Sequence, residues 1–435
     1  MQILLLLLTI LGGMGLSVEA GLLGPLGKEV GELWATFSIF GVGAALTFLL
    51  MLFFSPRKER QNLNQNSGLN KAPELSQNKT SNTDKPVSAE QTKIKFYGNI
   101  RVDAAYDFEG STRSIANKTG SIPLDNSNST SKSLNVSAAT SRVGVDIVKP
   151  TSKGDLVGKL EADFMGSGGD NGNGSVRVRH AYISLGNWLI GQTTSPFVNS
   201  DTAPSLVDFT GAMGTGTQRN IQIRYQHIVD AKQKLLFALE GGDVENKNVE
   251  GGSRFPALTM RYEFKNPDFL VQLHGMLHEN RAVSDTNEEQ TKLAWGAGLG
   301  TKYKLSENDS VVFNYYHIAG DNRYMLYSKD NDAFYFDQNR MYLSEFDSIE
   351  LGYLRKWNEN LRSSLSAGSL IYKDSNFSEN NPDQNKRLIN ASVNLFWTPV
   401  EKVDLGVEYT YGKRETFSDL EGKLSRINLL GRYNF

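Results

Sequence analysis

Two stretches near the C-terminus, VDLGVEYTY (residues 403–411) and INLLGRYNF (residues 427–435), decide the fold. In each, large apolar side chains occupy every second position, and polar or small residues lie between them. A period of two predicts β-strands with one face toward hydrocarbon and the other toward water. The chain ends on Phe435, on the apolar face. This ending is typical of a membrane barrel, whose last strand closes the ring and meets the interface with an aromatic residue. Taken alone, the stretch also fits the inner face of a soluble sandwich.

The composition narrows the function classes. The 435 residues include 46 Lys+Arg and 48 Asp+Glu, a formal net charge of −2, whereas a nucleic-acid binder is expected to carry clustered positive charge. There are no cysteines, which excludes disulfides and thiolate metal sites. His274 and His278 are spaced like a helical metal pair but fall on a strand, so we predict no metal and no cofactor. The mean hydropathy of −0.38 argues against a helical membrane protein. It does not argue against a β-barrel, because half of the residues in each barrel strand are polar.

Residues 1–60 are predicted to be a signal peptide followed by a second hydrophobic segment. Leu4–Leu8 begins an apolar run and Val18–Ala20 resembles a cleavage site, but a basic start is missing. The second run, residues 33–54, is long enough to span a bilayer as a helix, and Arg57–Arg60 would hold it to the cytoplasm. Because a membrane barrel cannot assemble there, we expect that the given start lies upstream of the true one, or that this region is processed unusually.

Residues 61–93 are rich in Asn, Gln, Ser and Lys and are predicted to be a disordered linker. From residue 94 to residue 435 the period of two recurs, and the connections alternate between short and long. That asymmetry is typical of an outer-membrane barrel, so we predict an all-β, antiparallel transmembrane barrel of about 16 strands. The short connections are Lys149-Pro150, Gly186-Asn187, Val229-Asp230, Asn266–Asp268, Glu307–Asp309, Asn358–Asn360 and Thr398–Val400.

A barrel of this size encloses a water-filled channel. An Arg or Lys on the lipid face costs roughly 2–4 kcal/mol at the midplane, so the strand arginines are expected to face inward. Arg177 and Arg179, two apart on one strand, are predicted to project into the lumen about 7 Å apart, a spacing that suits a carboxylate or phosphate. The alternative is an ion-pair lattice without selectivity, because Asp103, Asp146, Glu161 and Asp163 are near in sequence. The predicted pore-lining residues are Arg101, Arg142, Arg177, Arg179, Arg224 and Arg261.

The long loop at residues 193–217 is the candidate for a pore constriction. It follows the fifth strand, is rich in glycine, and carries Asp201 and Asp208, which are expected to face the arginines. A surface loop is the alternative.

Three alternative functions are considered. A barrel hydrolase would need a His and a Ser paired at the outer rim; the sequence shows no such pair, so no enzyme is predicted. A non-conducting barrel for adhesion or anchoring is the other alternative, and a porin without selectivity is a third.

Two motifs resemble the DcaP-like porins of Gram-negative outer membranes: FYGNIRVDAAYD (residues 96–107) and VEYTYGKRE (residues 407–415). The resemblance implies a homotrimer of sixteen-stranded barrels that takes up small anions such as dicarboxylates through an Arg-lined constriction; Arg101, Arg177 and Arg179 fit. Family members often carry a coiled-coil segment before the barrel, and this sequence shows none.

The closing RYNF (residues 432–435) is similar to the assembly signal of outer-membrane barrels, with Tyr433 and Phe435 as its aromatic residues. The expected partners are therefore the barrel-assembly machinery, outer-membrane lipid and lipopolysaccharide, and small anionic solutes.

Overall fold

The computed structural model describes residues 92–127, 131–169, 174–198, 201–242, 244, 252–283, 289–337 and 340–435. The predicted signal peptide, the second apolar run and nearly all of the predicted linker lie outside these residues. No helix in the described part of the chain is long and apolar enough to cross a membrane.

Nineteen strands and one short α-helix make up most of the described chain. They are β1 (Lys93–Glu109), β2 (Ser133–Ser137), β3 (Arg142–Lys149), β4 (Leu156–Asp163), β5 (Arg177–Leu185), β6 (Trp188–Thr194), β7 (Arg219–Ile228), β8 (Gln233–Glu240), β9 (Ala257–Lys265), β10 (Phe269–Val283), β11 (Glu289–Lys304), β12 (Asp309–Ala319), β13 (Phe334–Asp337), β14 (Arg340–Leu343), β15 (Glu345–Lys356), β16 (Leu361–Tyr372), α1 (Asn376–Asn380), β17 (Asn385–Trp397), β18 (Val403–Thr416) and β19 (Glu421–Asn434). Two 3₁₀ turns, Thr119–Ser121 and Ser328–Asp330, lie in loops.

Seventeen of the strands form one antiparallel sheet, and β13 and β14 form a separate hairpin. From β3 onward each strand of the sheet pairs with the next sheet strand along the chain, and β19 pairs with β1 from Asn99↔Asn434 onward, which closes the ring. β2 and β3 both pair with β1, at Asp103–Asp107 and Lys93–Asn99 respectively, and so share one position in the barrel wall. The wall therefore has sixteen positions, and the predicted strand number is confirmed.

The two faces of the wall differ in chemistry. On β18 the outward Leu405, Val407 and Tyr409 are 43%, 44% and 42% exposed, while the inward Glu408 and Thr410 are buried. The same alternation recurs around the ring, so the outside is mostly apolar and the inside mostly polar. The outward apolar face is suited to contact with lipid. The closed ring is suited to a bilayer as well, because it leaves no unpaired strand edge in lipid.

The connections lie as the sequence predicted. The short ones all fall at one rim; Gly186 and Asn187 join β5 to β6 directly, and Gly186 has φ 58°, a value that glycine adopts without strain. At the other rim the loops are mostly long, including residues 110–132, 195–218, 241–256, 320–344 and 373–384.

Part of the barrel interior is filled. Residues of two loops, 195–218 and 320–344, pack with inward side chains of β10, β12 and β15–β17 in one apolar cluster. Phe197 and Tyr324, from the two loops, stack edge-to-face on each other with ring centroids 5.0 Å apart. Because this side of the barrel is packed with protein, open space lies toward the opposite wall.

Candidate functional site

The loop of residues 195–218, here called the lumen loop, connects β6 to β7 and crosses the barrel interior. Its first residues are fixed to the wall by Arg261 of β9, whose guanidinium donates to the backbone carbonyls of Ser195, Pro196 and Val198 at 3.0–3.2 Å. Arg261 is thus committed to the loop backbone and faces protein rather than the channel.

The middle of the lumen loop is attached to the far wall. Glu408 of β18 accepts hydrogen bonds from the backbone N–H groups of Val207 and Asp208, at 2.7 and 3.2 Å. Asn394 of β17 donates to the Ser205 carbonyl at 2.9 Å. These contacts satisfy backbone groups that would otherwise be buried without partners, and they fix the loop across the lumen.

A cavity of about 510 Å³ lies between the lumen loop and the wall formed by β1–β7. Five arginines from β1, β3, β5 and β7 line it, here called the arginine wall: Arg101, Arg142, Arg177, Arg179 and Arg219. Loop residues from Ala203 to Thr217 form the opposite side. Four of the six arginines predicted to line the pore therefore meet at one cavity.

Three carboxylates pair with the arginine wall. Arg101 binds Asp103 with contacts from 2.7 Å. Asp163 accepts from Arg177 at 2.7 and 2.9 Å and from Arg179 at 2.8 Å. Such bidentate contacts orient the guanidinium planes.

Glu161 is shared between two arginines. Arg179 Nε donates to it at 2.8 Å, and Arg142 Nε lies 3.3 Å from the same oxygen. Tyr97 donates its hydroxyl to the other oxygen at 2.9 Å. One negative charge is thus divided between two positive ones.

A β-bulge concentrates these groups. The β4–β5 register shifts between Glu161 and Ala162, so that Glu161 pairs with His180 and Ala162 with Val178. Arg179 and His180 are consecutive, yet both side chains approach Glu161, at 2.8 and 4.0 Å. A bulge inserts one residue and changes the direction of the side chains that follow. A strict alternation along the sequence therefore does not predict this arrangement.

Arg219 was not among the predicted residues. It is the first residue of β7, on the same side of the period as the lipid-facing Ile221, so the pattern assigns it outward. In the structure it turns into the cavity. Within the described chain no carboxylate lies within 4 Å of its guanidinium, and its Nε has no hydrogen-bond partner. The only sequence signal is its position at the end of a long loop.

The arginine wall therefore carries more positive than negative charge: its five arginines pair with three carboxylates, Asp103, Glu161 and Asp163. A fourth carboxylate in the cavity lining, Asp208 on the lumen loop, is nearest to Arg426. The ring of Phe209, on the lumen loop, lies 5.4 Å from Arg101 Cζ and 6.0 Å from Arg177 Cζ. These contacts favour guanidinium planes held against an aromatic face. The site combines an ion-pair lattice with uncompensated positive charge.

Of the other predicted site residues, Arg224 and Asp201 lie outside the cavity, whereas Asp208 lines it from the loop side. Arg224, also on β7, is partly buried and outside the cavity. Asp201 is exposed on the lumen loop and does not line the cavity. Asp208 is buried, with one carboxylate oxygen 3.7 Å from Arg426, which also binds Asp107. Burial raises the pKa of the Asp208 carboxyl, against the opposing effect of Arg426. Asp208 thus lines the cavity, and the basic group nearest to it is Arg426 rather than a member of the arginine wall.

The structure brings a Ser, a His and an Asp together at the long-loop rim, although the sequence showed no such pair. Ser253 Oγ lies 2.7 Å from His278 Nε2, and His278 Nδ1 lies 3.4 Å from Asp321. The Ser253 hydroxyl also donates to the Glu279 carbonyl at 2.9 Å, and the His278 side chain is 1% exposed. The hydroxyl thus lies within hydrogen-bond distance of two acceptors, the His278 ring and the Glu279 carbonyl, and the imidazole is enclosed. The set joins two loops to β10 in a structural contact.

The described residues contain no group of three or more metal-ligating side chains in a suitable arrangement. His274 contacts the Pro196 carbonyl at 2.9 Å instead, and so helps to seat the lumen loop.

Comparison with known proteins gives this architecture a family. The sequence matches the family described as DcaP outer membrane protein over residues 54–435. The chain belongs to the DcaP outer membrane protein family. It is a β-barrel porin of the Gram-negative outer membrane, as its motifs suggested.

A DcaP relative of known structure supports this. The outer membrane channel DcaP of Acinetobacter baumannii is 32% identical with a TM-score of 0.73, over 79% of this chain and 97% of that one. The fold alone is shared with the anion-selective porin from Comamonas acidovorans, at 11% identity and TM-score 0.54 over 79% and 100%. The fold is also shared with the trimer form of OmpT of Vibrio cholerae, at 13% identity and a TM-score of 0.50, over 79% of this chain and 99% of that one. Comparison with curated proteins found no match.

The N-terminal segment of this DcaP chain gives a separate match. Residues 4–73 match a family described as putative inner membrane exporter, YdcZ. The two matches overlap at residues 54–73.

Proposed function

We propose that this DcaP-family porin passes small hydrophilic anions by passive diffusion, with dicarboxylates as the fitting substrate class. The observation that supports this most directly is the charge of the arginine wall, where five guanidinium groups face three carboxylates across from the lumen loop. Positive charge at a constriction lowers the barrier for anions and raises it for cations.

A dicarboxylate suits the wall because it can meet two guanidinium groups at once. Arg142 shares its carboxylate partner and Arg219 has none within 4 Å in the described chain, so these two are the arginines best able to accept an anion. The ion pairs of Arg101, Arg177 and Arg179 hold the rest of the wall in place. The ion-pair lattice therefore positions the wall, while the two less compensated arginines provide the selectivity for anions.

Planar-bilayer recording tests the proposal. In a salt gradient, the reversal potential is expected to show that anions carry most of the current, and a dicarboxylate is expected to reduce the chloride current in a concentration-dependent way. A current carried equally by both ions would favour a non-selective porin. A barrel without steady current would favour a structural or adhesive role.

We also propose a homotrimer. β4–β9 are seven to ten residues long, whereas β10–β12 and β15–β19 have eleven to sixteen. A strand that crosses a bilayer needs about 9–11 residues. The side of the wall with the shorter strands, β4–β9, is here called the low side and is expected to contact other copies of the chain. Native mass spectrometry in mild detergent is expected to give three chains, and a single-chain mass would contradict this.

Assembly by the barrel-assembly machinery is proposed to use the last strand. Tyr433 and Phe435 lie on the outward face, 47% and 46% exposed, and the Phe435 N–H donates to the Gly98 carbonyl at 3.1 Å. The same residues thus meet lipid and complete the seam between β19 and β1.

A further inference from the structure

A series of charged side chains lies on the outward face of β15–β19 and the loop after β16, at the long-loop rim. On β18, Lys413 and Glu415 continue the outward series that includes Tyr409 and Tyr411. On β19, Lys423 continues the outward series of Leu429. We call this series the rim belt: Glu345, Lys373, Arg387, Lys413, Glu415, Glu421 and Lys423.

The rim belt is organised into pairs across neighbouring strands. Arg387 donates to Glu415 at 2.7 Å, and Lys413 to Glu421 at 2.6 Å. Lys373 donates to Glu345 at 2.5 Å. The basic side chains of the first and third pairs are 46% and 47% exposed, so they remain open to a second partner.

The height of the belt places it at the edge of the hydrocarbon. A Lys or Arg on the lipid face costs roughly 2–4 kcal/mol at the midplane and little at the interface. Tyr409 and Tyr411, next along β18, fit the aromatic girdle that marks this boundary. The belt therefore lies level with the lipid headgroups of the outer leaflet.

The opposite sector of the wall lacks the belt. At the same rim, the described outward side chains of β4–β9 are uncharged; the apolar ones include Val178, Ile221, Leu239 and Leu258, which are 44%, 68%, 46% and 42% exposed, and Gln192 and Thr194 of β6 are polar. That sector is also the low side proposed to meet other copies. The rim belt thus lies in the tall sector, which faces lipid in the proposed trimer, so its expected partner is a lipid rather than another chain.

We propose that the rim belt binds a phosphorylated glycolipid of the outer leaflet, lipopolysaccharide, through its phosphates. Arg and Lys bind phosphate oxygens through charge-assisted hydrogen bonds, and four basic side chains, Arg387, Lys373, Lys413 and Lys423, lie on four adjacent parts of the belt. The interleaved carboxylates hold these side chains in an extended row and suit sugar hydroxyls or a cation shared with the phosphates. The inference rests on the outer-membrane location and on the proposed trimer contact, and not on anion selectivity.

The test compares a belt variant with a matched control. The belt variant carries Arg387→Gln, Lys413→Gln and Lys423→Gln; the control carries Lys149→Gln, Lys265→Gln and Lys402→Gln, three exposed lysines at the short-turn rim. Binding of lipid A to the purified barrels is measured by native mass spectrometry, with the bis-phosphorylated and the dephosphorylated lipid. A heat-modifiability gel confirms that each barrel is folded.

The belt variant is expected to bind phosphorylated lipid A about tenfold more weakly than the unmodified barrel, and the control within about twofold. The dephosphorylated lipid is expected to bind all three barrels weakly and alike. Equal binding by belt and control variants, or equal binding of the two lipids to the unmodified barrel, would overturn the proposal. Conductance recorded on the same samples keeps the two proposals apart, because loss of anion preference leaves the lipid result unchanged.

Discussion

The carboxylate of Glu408 on β18 accepts the backbone N–H of Val207, 201 residues earlier in the chain, at 2.7 Å. Arg101 on β1 donates to the carbonyl of the same residue at 2.7 Å. One peptide segment of the lumen loop is thus held from two parts of the wall. The position of the loop, and with it the width of the channel, depends on these contacts.

Replacement of Glu408 is expected to loosen the lumen loop. In Glu408→Ala the buried N–H groups of Val207 and Asp208 lose their acceptor, at a cost of about 1–3 kcal/mol for each unsatisfied group. We expect a larger single-channel conductance with frequent fluctuations. Glu408→Gln, which keeps one carbonyl oxygen, serves as the control. Its conductance is expected to lie between those of the unmodified porin and of Glu408→Ala. Unchanged conductance in Glu408→Ala would show that the loop is held by its other contacts.

Removal of the least compensated charges is expected to reduce anion preference. Arg142→Gln with Arg219→Gln takes the wall from five arginines against three carboxylates to three against three. A charge 4 Å from an ion contributes about 1 kcal/mol even in a water-like dielectric, so the permeability ratio is expected to fall several-fold toward one. Reversal potentials in a salt gradient measure it.

The matched control for that experiment is Arg224→Gln, since Arg224 is an inward arginine of the same strand outside the cavity. Its permeability ratio is expected to stay close to that of the unmodified porin. An equal loss in both variants would mean that selectivity reflects the total lumen charge rather than the arginine wall.

Asp208 gives a pH-dependent prediction. Because burial raises the pKa of its carboxyl, ionisation costs free energy in the folded barrel that it does not cost in the unfolded chain. This cost is absent below the ordinary aspartate pKa, near pH 4, and complete above the raised pKa. Asp208→Asn is therefore expected to be more stable than the unmodified barrel at neutral pH, with the difference closing toward pH 4. Urea unfolding in lipid vesicles measures it; a difference that widens on acidification would contradict the stated sign.

The mature N-terminus is open to direct measurement. We predict that the protein in the outer membrane lacks residues 33–54, because a retained apolar helix with Arg57–Arg60 behind it would keep the chain at the inner membrane. Intact-mass spectrometry of outer-membrane fractions is expected to give a chain that begins beyond residue 54. Tryptic peptides from the inner-membrane fraction provide the comparison. Recovery of the apolar segment in the folded porin would refute the prediction.

The sequence was a good guide wherever spacing along one strand was enough. The alternation in β18 and β19, the turn at Gly186-Asn187 and the number of wall positions are all local or additive properties. The inward direction of Arg101, Arg142 and Arg177 follows from the same alternation, because lipid excludes their charge.

Other features depended on contacts between distant parts of the chain. Arg261 has the spacing of a pore residue, yet it binds the backbone of the lumen loop. Arg219 has the spacing of a lipid-facing residue, yet it turns into the cavity. The bulge beside Glu161 brings both Arg179 and His180 to the Glu161 carboxylate. Ser253 contacts His278 only because the loop that carries Ser253 folds against β10.

By itself, the sequence determined a closed, alternating wall, because the exclusion of charge and unpaired backbone from lipid acts on each strand separately. Only the tertiary structure decided which arginines surround the open space. That choice depends on where a loop crosses the lumen and which backbone groups it must satisfy, and such long-range pairings leave no periodic trace in the chain.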